Sequence, residues 1–95
     1  AQEEYRSLYG TYYQSASNCG SLSNHASLIN TNLFSNDKTL DETSGRNYNF
    51  CIEYLNGSSS SFQANAYALD SSDYLTITNT NIKRKFKNNN WSDGW

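Results

Sequence analysis

Several residue types are absent or scarce in this 95-residue sequence. The scarcity of metal ligands and of catalytic groups excludes two classes of function. Proline and methionine do not occur, and there are only 1 histidine and 2 cysteines. Two thiols and one imidazole do not supply the four ligands of a structural zinc site, so we predict no metal and no cofactor. The sequence also lacks a nucleophile with a base at catalytic spacing, a carboxylate pair and a phosphate-binding glycine loop. We therefore predict no catalytic residues, no small-molecule substrate and no enzyme.

Aliphatic residues are few, whereas tyrosine is abundant with 8 copies. A core built from such a sequence depends on aromatic rings, whose hydroxyl groups can reach water while the ring is buried. The 95 residues provide for a single domain with one modest core. Long apolar runs are missing, and a membrane-spanning helix needs about 20 mostly apolar residues.

The net charge is only −2, but its distribution is uneven. Four of the 7 basic residues lie close together, at Lys83, Arg84, Lys85 and Lys87. With Phe86 and the nearby Trp91 and Trp95, this run could contact anions or single-stranded DNA through charge and ring stacking. The favoured interpretation is a solvated edge strand, in which lysines prevent unwanted strand pairing.

The 2 cysteines, Cys19 and Cys51, are too far apart in sequence for a redox motif. A structural disulfide between them is favoured over two free thiols, and it implies an oxidising compartment. Closing a loop of this length would stabilise a small domain by about 3–4 kcal/mol.

The opening segment has the periodicity of an amphipathic helix. Its apolar residues recur at Ala1, Tyr5, Leu8 and Tyr12, on one face of a helix with 3.6 residues per turn. This stripe predicts a helix over residues 1–14 whose apolar face packs on the rest of the domain. Residues 15–46 are predicted to form a polar connection with one short helical turn near residues 27–33.

From residue 47 the apolar residues alternate, which is typical of strands with one buried face. The alternation predicts an antiparallel meander through residue 87, and the alanines at 64, 66 and 68 would leave room for a helix on the sheet. Asn56 and Gly57, followed by serines, predict a hairpin turn with a loop longer than two residues. The tail at 88–95 has no period. The predicted fold class is α+β, with the N-terminal helix packed on a sheet of 3–4 strands.

Three segments, in this order, resemble the head domain of type IV pilins and type II secretion pseudopilins. They are Glu-Tyr-Arg-Ser-Leu-Tyr-Gly-Thr-Tyr at residues 4–12, then Asn-Tyr-Asn-Phe-Cys-Ile at 47–52 with Ser-Phe-Gln-Ala-Asn-Ala at 61–66, and Tyr-Leu-Thr-Ile-Thr-Asn-Thr-Asn-Ile at 74–82. The first segment is similar to the end of the family's long helix, and the others are similar to strands of its sheet. Major pilin, minor pilin and pseudopilin are not separated by these residues.

This resemblance implies a structural subunit of a pilus or pseudopilus at the bacterial cell surface, facing the periplasm before assembly. The implied partners are other copies of the subunit and the inner membrane, reached through an N-terminal helix. We expect about 25–30 apolar-rich residues before Ala1 in the gene, enough to span a membrane. The implied roles are adhesion, motility, secretion or DNA uptake, with weak contacts to nucleic acid or host surfaces.

Two alternatives remain open. A secreted carbohydrate- or surface-binding module would use tyrosine and tryptophan rings as stacking platforms. A calcium site in the long connection would use Asp37, Asp41 and Glu42, although these lack the spacing of an EF-hand loop. His25, the 1 histidine, lies in a polar segment and is interpreted as a solvated loop residue rather than a general base.

Overall fold

The computed structural model describes residues 1–20, 24–37, 39–40, 42, 48–69, 73–87 and 90–94. Two short helices precede a run of strands. The helices are α1 (Gln2–Tyr9) and α2 (Ala26–Leu33), and the strands are β1 (Tyr48–Leu55), β2 (Ser58–Ala68), β3 (Asp73–Thr78), β4 (Lys83–Lys87) and β5 (Asn90–Asp93). The predicted α+β class is confirmed.

The strands form one antiparallel sheet of 5 strands in the order β1-β2-β3-β4-β5. The meander is as predicted, but the count of 3–4 strands was too low. The additional strand comes from the tail, in which Trp91 pairs with Phe86 of β4. The tail residues have no apolar alternation because all four residues of β5 are exposed.

Helix α1 is shorter than the predicted span of 1–14. Gly10 adopts a left-handed conformation with φ of 81° and donates its amide to the Arg6 carbonyl at 2.7 Å. Glycine adopts this conformation without the steric cost of a Cβ, and it commonly ends helices. Tyr12 therefore lies beyond the helix and not on its stripe.

Among the described residues, the central cluster of the core consists of four buried side chains, Tyr12, Ile29, Ile52 and Phe62. Around them pack half-buried side chains from the connection and the sheet: Tyr13, Leu33, Phe34, Leu40, Phe50, Tyr54 and Ala64. The rings of Tyr12 and Phe62 meet edge to face with centroids 4.8 Å apart. The helix that packs on the sheet is α2, which contacts β1 and contributes Ile29.

The predicted packing of the first helix on the sheet was therefore wrong for most of its stripe. Helix α1 has no buried residue, and Leu8 is 72% exposed. The predicted helical turn near residues 27–33 is the part of the chain that becomes the packed helix, α2.

The turn between β1 and β2 contains only Asn56 and Gly57, with φ values of 53° and 72°. Two successive positive φ angles define the tight hairpin turn for which Asn-Gly is the preferred pair. The serines that follow belong to β2, so the prediction of a longer loop was wrong.

The free edge of β1 is covered by residues of the long connection. Side-chain oxygens accept hydrogen bonds from its outward amides: Asn24 from Phe50 at 3.2 Å, Ser15 from Ile52 at 2.9 Å and Gln14 from Tyr54 at 3.3 Å. The backbone amides of His25 and Ser15 donate to the carbonyl groups of Phe50 and Ile52 at 2.7 and 2.8 Å. An edge strand with unpaired polar groups invites pairing with other chains, and these bonds satisfy them locally.

Candidate functional site

An apolar cleft of about 410 Å³ lies on the face of the sheet that carries Ile52 and Phe62. Its floor includes Ala64 and Ala66 of β2 with Leu75 and Ile77 of β3, and its wall comes from the region of α2. The alanine side chains are too short to fill the space above them. The sequence predicted that a helix would lie here, but α1 reaches the cleft only through Ala1 and Gln2.

Lysines of β4 lie on the same face, one strand beyond the cleft floor. Ile77 pairs with Lys83 and Leu75 pairs with Lys85 in the antiparallel register. Directly paired residues project to the same face with Cβ atoms about 4.5–5.5 Å apart. Lys87, paired with Asp73, continues the row. The cleft therefore has an apolar floor and a basic border.

Arg84 projects to the face of the sheet opposite the cleft. The four basic residues that are neighbours in the sequence therefore lie on two different faces. Its Nε lies 3.4 Å from an oxygen of Asp93. Its guanidinium carbon lies 4.8 Å from the centroid of the Trp91 ring. The predicted anion or DNA contact thus has three lysines on one face and Arg84 on the other, and Trp95 lies outside the described residues.

Four aromatic rings form a ladder across the face that carries Arg84. Tyr67, Tyr74, Phe86 and Trp91 are paired in register on β2 to β5. The centroid distances along the ladder are 4.8, 5.3 and 5.4 Å. Such cross-strand ring pairs stabilise a sheet by about 0.5–1.5 kcal/mol each beyond area burial. The ladder connects β4 and β5, which have no buried residues, to the rest of the sheet.

The predicted disulfide between Cys19 and Cys51 is confirmed, with Cα atoms 5.9 Å apart. It attaches the long connection to β1, and Cys51 is fully buried. The backbone amide of Cys19 also donates to a carboxylate oxygen of Glu53 at 2.6 Å.

His25 is half-buried beside this disulfide, which corrects its interpretation as a solvated loop residue. Its Nδ1 lies 2.9 Å from Ser15 Oγ and 3.4 Å from Cys51 Sγ. The Ser15 oxygen also accepts the Ile52 amide, so the hydroxyl group is engaged with the strand edge. Sequence spacing contained no signal for this group, because residues 15, 25 and 51 meet only when the connection folds onto β1.

Burial changes the acidity of two tyrosines. Burial raises the pKa of Tyr13, a hydrogen bond from Asn32 lowers it, and Tyr5 adds a smaller increase. Burial also raises the pKa of Tyr67, helped by the negative charge of Glu53. Both phenols are therefore held more firmly in their neutral form than in an unfolded chain.

The predicted helix-face residues are placed differently from one another. Tyr12 is buried in the core, Tyr5 is half-buried beside Tyr9 and Tyr13, and Ala1 and Leu8 are exposed.

The first turn of α1 is tied to the chain after Gly10. The Gln2 side chain exchanges two hydrogen bonds of 2.8 Å with the Tyr13 backbone. Glu3 accepts a bond from the Tyr12 hydroxyl at 2.8 Å. These contacts fix the start of the helix and leave its last residues outside.

The acidic residues proposed for calcium are only partly described. Asp41 lies outside the described residues, and Glu42 accepts a hydrogen bond from Asn30 at 2.7 Å. Among the described residues, no three His, Cys, Asp or Glu side chains are grouped closely enough to hold a metal ion.

Together, these elements define an α+β domain with a disulfide-anchored connection, an apolar cleft with a basic border and a first helix that has no buried residues. Neither helix in the described part of the chain has the length and apolarity to cross a membrane. No protein-family model, curated protein or solved structure matches this chain.

Proposed function

We propose that this chain is the head domain of a filament subunit of the type IV pilin or pseudopilin kind, a structural protein at the bacterial cell surface. The observation that carries the proposal is the exposure of the apolar residues at the end of helix α1. It has no buried residue, and its last turn leaves Leu8 72% and Tyr9 66% exposed.

An eight-residue helix of this kind needs stabilising contacts beyond its own hydrogen bonds. Isolated helices shorter than about 12–15 residues are marginal in water, and most helices in proteins depend on packing an apolar face. The head supplies contacts to the first turn of α1 but leaves Leu8 and Tyr9, at the end of the helix, largely exposed. A neighbouring subunit in a filament would supply the missing surface.

Two other features support this proposal. The first helix and the strands of the antiparallel meander follow one another in the order of the three segments on which the resemblance rests. The disulfide between Cys19 and Cys51 suits an oxidising compartment such as the periplasm or the cell surface. The partners in this proposal are further copies of the same chain, with adhesion, motility, secretion or DNA uptake as the process served.

The alternative of a carbohydrate-binding module receives less support from the aromatic ladder. Its rings pack against one another, and the guanidinium of Arg84 lies over the Trp91 ring. Sugar stacking needs an open ring face. Nucleic-acid binding has a similar weakness, because the lysines Lys83, Lys85 and Lys87 project away from the face that carries the rings.

Photo-cross-linking in cells that produce the full-length protein tests the filament proposal. A photo-reactive phenylalanine analogue replaces Leu8, and a matched variant carries it at Ser27, an exposed position on α2. We expect covalent dimers and larger species of this chain from position 8 and far fewer from position 27. Equal yields from the two positions, or no multimers from either, would contradict the proposal.

A further inference from the structure

We infer that the apolar cleft of one copy receives the last turn of α1 from a second copy, with Leu8 over the cleft floor and Glu4 beside the lysines of β4. This inference rests on the proposed filament function and adds the contact that would join the subunits. The described residues carry both halves of the contact, the cleft and the helix end, on one chain.

The cleft has the properties of a receptor for apolar side chains. Its volume of about 410 Å³ falls in the range of about 300–1,000 Å³ that is typical of binding pockets. Its floor joins Ala64 and Ala66 to Leu75 and Ile77, so an entering side chain meets mainly carbon atoms. Filling the cleft would remove apolar surface from water, at about 25 cal/mol per Å².

The last turn of α1 has the matching properties of a ligand. Leu8 and Tyr9 are the two most exposed large apolar side chains among the described residues. Tyr9 touches Tyr5 with ring centroids 4.5 Å apart. Its ring is thus supported from one side and remains open on the other.

A chain does not fill its own cleft with this helix end. Ala1 and Gln2 line the cleft, and Gln2 is fixed by its bonds to the Tyr13 backbone. Leu8 lies about 10 Å further along the helix axis, at 1.5 Å per residue. Its 72% exposure shows that it touches little of its own head.

The charges on the two surfaces are complementary at a matching spacing. Glu4 and Leu8 are four residues apart on α1, which places their Cβ atoms on one face about 5–6 Å apart. On the sheet, Leu75 and Lys85 are direct partners, about 4.5–5.5 Å apart. When Leu8 lies over Leu75, Glu4 therefore reaches Lys85. Both charged residues are exposed.

The contact is heterologous, because it joins two different surfaces of the same chain. Each copy has a helix end that can enter a neighbour's cleft and a cleft that can receive a neighbour's helix end. Copies can therefore add to one another in an open chain unless the rotation between them closes a ring. A repeating head-to-tail contact of this kind produces a helical filament. The inferred contact therefore has the symmetry that the proposed function requires.

A charge-swap series tests the contact in the full-length protein. The photo-reactive residue stays at position 8, and the cross-link yield to a neighbour's β2–β3 peptides is measured by mass spectrometry. Glu4→Lys and Lys85→Glu are each expected to lower that yield by about two- to fivefold, the effect of a partly exposed ion pair. The double variant Glu4→Lys/Lys85→Glu is expected to restore it, because the pair is re-formed with reversed signs.

A second series fills the cleft. Ala66→Phe occupies the floor, whereas Ala68→Phe is a matched control on the same strand and face that does not line the cleft. We expect Ala66→Phe alone to abolish the β2–β3 cross-links. Circular dichroism checks that both variants fold. If Ala66→Phe does not fold, the charge-swap series alone tests the contact.

The outcomes separate this inference from the proposed function. Loss in both single charge variants with recovery in the double variant supports the contact. Filaments in which position 8 cross-links to other peptides of the neighbour overturn the contact and leave the filament function standing. The absence of any cross-link between copies, together with the absence of filaments, overturns both.

Discussion

The Ser15 hydroxyl oxygen accepts a hydrogen bond from the Ile52 amide at 2.9 Å, although the two residues are 37 positions apart. The Ser15 amide donates to the Ile52 carbonyl at 2.8 Å, so one residue satisfies both outward groups of Ile52. The start of the long connection thereby lies along the outer edge of β1 and satisfies its backbone groups. The sequence predicted a polar connection here, and its polar side chains, such as those of Ser15 and Asn24, are the ones that cover the edge of β1.

Replacing Ser15 with alanine should therefore destabilise the domain. The variant leaves the Ile52 amide without its acceptor in a partly buried setting, which costs about 1–3 kcal/mol. Urea unfolding of Ser15→Ala measures the loss, and Ser17→Ala, at an exposed neighbouring position, should change stability by less than about 0.5 kcal/mol. Equal effects in the two variants would show that the edge bond contributes nothing.

The apolar side chains on the two sides of Gly10, Leu8 and Tyr12, should differ sharply in their contribution to stability. Tyr12 is 2% exposed and packs on Phe62, so Tyr12→Ala should lower the free energy of unfolding by about 3–5 kcal/mol. Leu8→Ala, on the exposed end of α1, should change it by less than about 0.5 kcal/mol in the monomer. Thermal or urea unfolding compares the two. A large loss of stability in Leu8→Ala would contradict the exposed position of Leu8 and would indicate that α1 packs on the sheet, as the apolar stripe predicted.

Removing the disulfide should cost a large part of the domain's stability. The bond closes a sequence separation of 32 residues, for which chain entropy gives about 3–4 kcal/mol. Unfolding curves with and without a reducing agent measure the difference, and the Cys19→Ser/Cys51→Ser variant should match the reduced protein. An unchanged midpoint after complete reduction, checked by mass spectrometry, would contradict this prediction.

Stability should fall at alkaline pH because of two half-buried phenols, those of Tyr13 and Tyr67. Burial raises the pKa of Tyr67 above its ordinary value of 10.0, so the folded chain holds this proton more tightly than the unfolded chain does. The contribution is complete below pH 10.0 and is lost as the pH rises from there through the folded pKa.

Tyr67→Phe removes one titrating group and should make the decline in unfolding free energy above pH 10.0 shallower. A remaining slope is expected from Tyr13, whose pKa is also raised by burial. Chemical unfolding at a series of pH values measures both slopes, and identical slopes in the two proteins would refute the assignment to Tyr67.

The strands with strong apolar alternation were predictable from the sequence, whereas the last strand, β5, was not. Tyr48, Phe50 and Ile52 alternate with polar residues and Cys51, and that period predicted the strand, although β1 has buried residues on both of its faces. The last strand has no such period, since its residues are exposed and Trp91 joins the sheet through ring contacts with Tyr74 and Phe86. Such contacts depend on tertiary register, which the local sequence does not show.

The same limit applies to the candidate site. The stripe of Tyr5 and Leu8 showed which side chains share a helix face but not which surface covers that face. Gly10 ends the helix and redirects the chain, so Tyr12 enters the core while Leu8 stays outside. The cysteine pair was predictable because two cysteines allow only one intramolecular bond. The place of His25 beside it depends on how the connection folds.

Electron microscopy of material sheared from cells that carry the full-length gene shows whether this chain is a filament subunit. With an antibody raised against this chain, we expect thin filaments labelled along their whole length, which are lost when Leu8 is replaced by a charged residue. Label found only on dispersed single molecules, with no filaments in cells that produce the protein abundantly, would contradict the claim that it is a filament subunit.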